Sequence, residues 1–334
     1  MTNSNSTNRP KRFGDLVFPR RRGAQFILAL AALALPGCAA SPSTLAPQGP
    51  DARSVAGLAW LMFAIAAVVF IAVTILLLIA TLRRRSGQTA VLLSPPNERR
   101  TLTLVVLFGA VLPAVVLIVV MGLSVSLDNA EASAQSSSAL TVEVVGHQWW
   151  WEVRYPQQGV VTANEIHIPV GQQVNIKLTS ADVIHSFWIP QLHGKVDMIP
   201  GQTNTMTLQA DQAGDYRGEC AEYCGTQHAK MDFLVVAQDT KDFNAWLAQQ
   251  NQPAPSPADG TMQKAGQQTF LGSSCNYCHT ISGTNASGRI GPDLTHLASR
   301  KTIGAGALIN TPGNLAGWIT NSQAIKPGNL MPPM

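Results

Sequence analysis

Two short segments of this 334-residue chain concentrate side chains that could bind a transition metal. The first, Cys220-Ala221-Glu222-Tyr223-Cys224-Gly225-Thr226-Gln227-His228-Ala229-Lys230-Met231, sets two thiols, an imidazole and a thioether close together. Soft sulfur combined with imidazole suits copper and disfavours hard cations. A second imidazole comes from His185, in Ile184-His185-Ser186-Phe187-Trp188. Zinc competes for two cysteines and two histidines, but it makes no use of Met231. A disulfide between Cys220 and Cys224 is the third option, and it leaves His228 and Met231 without a purpose. The second segment, Cys275-Asn276-Tyr277-Cys278-His279, is a C-x-x-C-H run, the attachment pattern for c-type haem. Its two thiols can each add to one vinyl group while His279 supplies the proximal nitrogen. A dithiol redox pair or half of a zinc site would need further partners, and none follow.

The elements around these segments place them outside a membrane. A basic stretch ending in Arg20-Arg21-Arg22 precedes an apolar run at 26–35 that is too short to cross roughly 30 Å of hydrocarbon. Basic region, short apolar core and small residues at the break are the parts of an export signal. Leu35-Pro36-Gly37-Cys38 resembles the processing site of bacterial lipoproteins, so Cys38 is the expected lipid-bearing residue. Residues 55–82 and 101–127 carry no charge, and each is long enough to span as a helix. Pro113, inside the second, predicts a local kink. Arg83, Arg84, Arg85, Arg99 and Arg100 between the spans keep that loop cytoplasmic and send everything after 127 outward.

After an Ala/Ser/Gln-rich tether the pattern turns to short alternating runs. Residues 141–145, 165–168, 174–178 and 233–236 predict strands, with turns at Pro169 to Gly171 and at Pro200-Gly201. Many short strands in this length predict a sandwich or barrel. A helix over 241–250 closes that domain, and Pro253-Ala254-Pro255-Ser256-Pro257 reads as a linker. The chain thus divides into a leader (1–38), two transmembrane helices with an arginine loop (55–127), an all-β domain (140–248), a linker (249–259) and a C-terminal domain (260–334). A charged fraction of 13% and a net charge of +4 argue for membrane embedding and against nucleic acid.

The helical hairpin, Gly146-His147-Gln148-Trp149-Trp150-Trp151, the His185 segment and the Cys220 loop together resemble subunit II of cytochrome c oxidase over roughly 55–248. The resemblance implies a cupredoxin-like sandwich holding dinuclear copper (CuA). In that arrangement Cys220 and Cys224 bridge the coppers, His185 and His228 are terminal ligands, and Met231 and the Glu222 carbonyl are weak axial ones. It further implies that the Glu222 side chain binds magnesium at the boundary with subunit I, and that electrons enter through Trp149. His147, His167 and His193 show no partner pattern and are expected to be ordinary hydrogen-bonded side chains. Lys326-Pro327-Gly328-Asn329-Leu330-Met331-Pro332 resembles the loop that supplies the sixth haem ligand in cytochrome c domains, with Met331 at the ligand position and Met334 a weaker alternative. Gly291-Pro292-Asp293-Leu294 resembles the segment that packs on the proximal histidine.

The fold class implied is a membrane helical hairpin, an all-β cupredoxin-like sandwich and a small all-α cytochrome c domain. That last domain reads as truncated or unusually small, because the closing helix usual after the methionine loop does not follow. The second span carries no acid for proton delivery to subunit I. The function implied is electron relay from a donor (cytochrome c or a membrane cytochrome) through haem c and CuA to a catalytic subunit I that reduces oxygen, coupled to proton translocation. Subunit III is a further expected partner, and a bacterial inner membrane with outward-facing metal domains the expected location. A CuA subunit of another reductase, such as a nitric-oxide reductase, is the alternative. A quinol oxidase subunit is disfavoured by the copper ligands. Finally, residues 140–238 hold ten acids and five bases, and residues 260–334 hold five bases and one acid, predicting charge steering between the domains with Lys326 beside an exposed haem edge.

Overall fold

The computed structural model describes residues 42–85, 97–134 and 140–334. The leader with Cys38, most of the arginine loop and the tether at 135–139 lie outside the described residues.

Helix α1 (Pro50–Arg85) begins before the charge-free run. Pro50 takes the first helical position, where a missing N–H costs nothing. The first turns pack on the sandwich instead of facing lipid, and Ala52 and Ala56 are buried. The amide of Ala52, which has no intrahelical partner, donates to Leu192 O at 3.2 Å. Gln48 exchanges backbone bonds with Gln191 and Asp211 (2.7 and 2.8 Å), and Arg53 pairs with Asp211. The first span is therefore fixed to the domain above it.

Helices α2 (Glu98–Val106) and α3 (Leu112–Ala134) are joined by a π turn at Leu107–Val111. Pro113 has no N–H for the carbonyl one turn back. The wide turn just ahead of it, closed by Leu112 N to Leu107 O, is where the helix absorbs this. Pro50–Leu82 and Arg99–Leu127 both reach a hydropathy of 3.1, and their most apolar 18-residue stretches are not covered by the rest of the chain. Lengths and uncovered apolar surfaces of this kind fit two membrane spans.

The next ten strands are β1 (Leu140–His147), β2 (Trp150–Tyr155), β3 (Val160–Ala163), β4 (Glu165–Pro169), β5 (Val174–Ser180), β6 (His185–Trp188), β7 (Val196–Met198), β8 (Asn204–Leu208), β9 (Gly214–Cys220) and β10 (Asp232–Gln238). They form two five-stranded sheets, ordered β3-β2-β1-β5-β8 and β4-β10-β9-β6-β7. Alternation along the strands fills the space between them: Val142, Val144, Ile176, Leu178, Phe233 and Val235 all face inward and are buried. Trp151 meets Phe233 edge-on at 5.1 Å across the two layers, and Phe187 stacks on Phe233 at 4.3 Å within one sheet. Helix α4 (Thr240–Gln250) caps the domain, with Phe243 buried and Trp246 stacked on His167.

The C-terminal region contains α5 (Met262–Gly272), α6 (Cys275–Cys278), α7 (Pro312–Thr320) and α8 (Ser322–Ile325). It is not purely helical, because β11 (Thr302–Ile303) and β12 (Leu308–Ile309) pair as a small ribbon. Thr261 and Thr311 each accept a bond from the amide three residues on, capping α5 and α7.

Candidate metal centres

His185 opens β6 and Cys220 closes β9, and these two strands are paired in one sheet. Residues 221–231 then loop out and return into β10. Cys220 Sγ lies 3.7 Å from Cys224 Sγ and 3.9 Å from His185 Nδ1. Cys224 Sγ lies 3.7 Å from both His228 Nδ1 and Met231 Sδ. The Glu222 carbonyl is 3.2 Å from Cys220 Sγ, and its side chain is exposed. Both cysteines are free thiols, so there is no disulfide here. The donor atoms of His185, Cys220 and Cys224 all lie within 4.8 Å of one another. Two sulfurs, two imidazole nitrogens, a thioether and a carbonyl converging in a buried place fit copper better than a four-ligand zinc site.

The hydrogen bond between the two thiols holds the Cys220 thiol far below its ordinary value, with His185 helping against burial. The same hydrogen bond, together with burial, pushes Cys224 up. Burial works against the charged form of His185, but Cys220 and Asp182 more than offset it and raise its pKa. Asp182 was not singled out in the sequence. Its Oδ1 meets His185 Nε2 at 2.8 Å and its Oδ2 accepts from Gln148 N at 2.6 Å, which leaves His185 Nδ1 facing the thiols. An acid three residues before a candidate imidazole ligand is the signal that could have found it.

The three tryptophans part company as strand alternation demands. Trp151 is fully buried in the core, Trp150 stacks on His147 at 4.4 Å, and Trp149 stays partly exposed. Trp149 Nε1 and Gln148 Nε2 both donate to Cys224 O, at 2.9 and 2.8 Å. Gly225 is positioned so that a Cβ would sit 2.9 Å from the Trp149 ring, and its φ is +117°. Of the other histidines, His167 approaches Gln238 Oε1 at 3.4 Å and His193 Nδ1 bonds Gly194 O at 2.9 Å.

In the C-terminal region a cavity of about 470 Å³ is lined by Cys275, Cys278, His279, Met331 and Met334, and also by Trp149. His279 donates from Nδ1 to Pro292 O at 2.8 Å, so Nε2 is the nitrogen left for a ligand, and burial lowers the pKa of the ring. Gly291 lies against that ring, where a Cβ would be 2.5 Å from Cε1. The backbone of Met331 is held three ways: its carbonyl accepts from Ser322 Oγ and Gln323 Nε2, and its amide donates to Asn329 Oδ1. Met334 has one long bond to Thr320 O and is 56% exposed. Arg300 also lines the cavity and is buried; its Nη2 donates to Asp293 O at 2.5 Å, and its Nε has no hydrogen-bond partner among the described residues. Such a cation fits a group that brings its own carboxylates, as haem does. An apolar cavity with paired thiols, one imidazole nitrogen left for a ligand, a fixed thioether and a guanidinium with its Nε unpaired fits haem c. No pattern in the sequence around Ser299-Arg300-Lys301 announced this.

The two regions sit against each other. Lys301 pairs with Asp215 at 2.5 Å, and its amide donates to buried Glu165. Asp232 N donates to Ala305 O, and Gln227 Nε2 to Pro327 O. Lys326 is 2% exposed, contrary to the expectation of an exposed edge. The loop that carries it turns inward onto the sandwich, where two carbonyls satisfy the ammonium.

Fold and site define a membrane-anchored cupredoxin-like protein with a buried thiol–imidazole metal-binding group. Residues 157–238 match the family model described as cytochrome C oxidase subunit II, periplasmic domain. The chain is 33% identical over 315 residues to cytochrome c oxidase subunit 2 of Alkalihalophilus pseudofirmus, covering 91% of this chain and 90% of that one. It is 34% identical over 206 residues to cytochrome c oxidase subunit 2 of Bacillus subtilis, covering 59% and 57%. Quinol oxidase subunit 2 of Bacillus spizizenii matches at 33% over 232 residues, 66% and 70%. This chain belongs to the cytochrome c oxidase subunit 2 family, and as such it is part of an oxidase enzyme.

Proposed function

We propose that this chain is the electron-accepting subunit of a haem–copper oxygen reductase and carries two redox groups, CuA in the sandwich (140–248) and haem c in the C-terminal domain (260–334). The observation that carries this reading is the position of Trp149, bonded to Cys224 on one side and lining the C-x-x-C-H cavity on the other. When bound, the two groups would supply one-electron chemistry.

Cys220, Cys224, His185 and His228 would hold the copper pair, with Met231 and the Glu222 carbonyl as weaker donors. Asp182 orients His185, and burial of Cys220, Cys224 and Met231 excludes water from the metal. Cys275 and Cys278 would carry the haem covalently, His279 and Met331 would hold its iron, and Arg300 would offer its guanidinium to a haem carboxylate. The exposed Glu222 carboxylate is free to hold magnesium against subunit I. Both spans lie in a bacterial inner membrane with the metal domains outside, beside subunits I and III. An acylated Cys38 is a secondary anchor, and a cytochrome is the donor.

Electron paramagnetic resonance of the purified complex tests the copper assignment. Cys220→Ser should abolish a mixed-valence two-copper signal while the c-type haem spectrum stays. A two-copper signal retained in that variant would overturn the assignment.

A further inference from the structure

We propose that Lys326 is a positioning residue for electron transfer, clamping the backbone of Trp149 so that the loop bearing Met331 and the loop bearing Cys224 keep a fixed separation. The inference rests on the reading above, that the sandwich holds copper and the cavity holds haem.

The argument begins with an ammonium where an apolar side chain would be easier to bury. Lys326 Nζ donates to Trp149 O at 2.6 Å and to Gly304 O at 3.0 Å. Among the described residues both hydrogen-bond acceptors are carbonyls, not carboxylates. Asp232 lies close enough to stabilise the charge, and Lys230 and Cys224 also face it. Asp232 itself is bonded to Arg217 at 2.8 Å. Burial holds the Lys326 ammonium down to about 7, so the site bears a real desolvation penalty. A buried charge with well-placed acceptors is a poor source of stability but a strong fixer of geometry.

What it fixes is specific. The carbonyl of Trp149 is held from the haem side by Lys326, and the indole N–H of the same residue is held from the copper side by Cys224 O. Neighbours on either side of Lys326 are tied down as well: Ile325 O accepts from Lys230 Nζ and Pro327 O from Gln227 Nε2. Gln227 and Lys230 flank His228 in the copper loop. Three consecutive residues of the haem loop are thus bonded to the sandwich, and only the middle one reaches Trp149.

The test uses the intact complex. In Lys326→Met, flash-triggered transfer from haem to copper should slow by at least about fivefold, because a loosened support degrades geometry more than binding. Haem and copper spectra should be unchanged, and the slowing should exceed what any potential shift from losing a buried cation beside the cavity accounts for. Hydrogen exchange should rise at 148–151, while the Asp232 and Lys301 amides stay protected. Lys326→Gln, which keeps a donor for one carbonyl, should lie between Lys326→Met and the wild type, and it decides alone if Lys326→Met does not assemble. An unchanged rate overturns the proposal. So does a slowed rate accompanied by lost protection at Asp232 and Lys301, which would make Lys326 general glue between domains. Absence of haem or copper from the wild-type complex would instead refute the underlying reading.

Discussion

Met331 and Met334 both border the cavity, and their backbones decide between them. A thioether ligand to haem must be held against a weak bond, and Met331 has its amide and carbonyl fixed by Asn329, Ser322 and Gln323. Met331→Ala should therefore remove the weak near-infrared sulfur-to-iron band and lower the haem potential, since a His/Met pair raises it. Met334→Ala should leave both, and the reverse pattern in a redox titration would refute the choice. At this scale the soft donor side chains of the two candidate centres were legible because their types are rare and tightly spaced. Asp182, Arg300 and Lys326 were less so. A carboxylate, a guanidinium and an ammonium are common surface groups, and only burial against a particular neighbour gives them a role.

The loop between β9 and β10 shows how an element sets a site. It must carry Cys224 under the Trp149 ring, and Gly225 makes that approach possible with a positive φ and no side chain. Gly225→Ala should cost about 1–3 kcal/mol from the backbone conformation alone and push the ring away. The expected readout is a lower denaturation midpoint with weakened copper retention, and an unchanged midpoint would show that the loop has room. Strand positions over 141–145, 165–168, 174–178 and 233–236 followed from alternation of apolar and polar residues. Strands β2, β3 and β6 to β9 did not stand out: β9 is mostly polar with glycines at two positions, and β3, β6 and β7 have only three or four residues, too little pattern to distinguish from a turn. The ribbon β11–β12 hid for the same reason inside a region whose haem motif suggested helices. Helix α1 starts earlier than its apolar run because its first turns are held by sandwich carbonyls, which hydropathy does not report.

For the whole molecule the question is whether the sandwich and the C-terminal region meet by steering or stand already docked. Sequence charge suggested steering, yet three of the five bases in 260–334 are committed. Arg300 and Lys326 are buried, and Lys301 is paired with Asp215. Backbone and side-chain bonds across the boundary join Asp232 to Ala305, Glu165 to Lys301 and Gln227 to Pro327. With the domains held by such contacts, encounter drops out of the rate. The decisive measurement is transient absorption after injecting one electron into the haem of the intact complex. Haem reoxidation should coincide with reduction of the copper centre, at a rate that stays the same between about 10 mM and about 500 mM salt, as the Debye length shortens from roughly 30 Å to a few Å. A haem that stays reduced, or a rate that falls steadily with salt, would contradict the account.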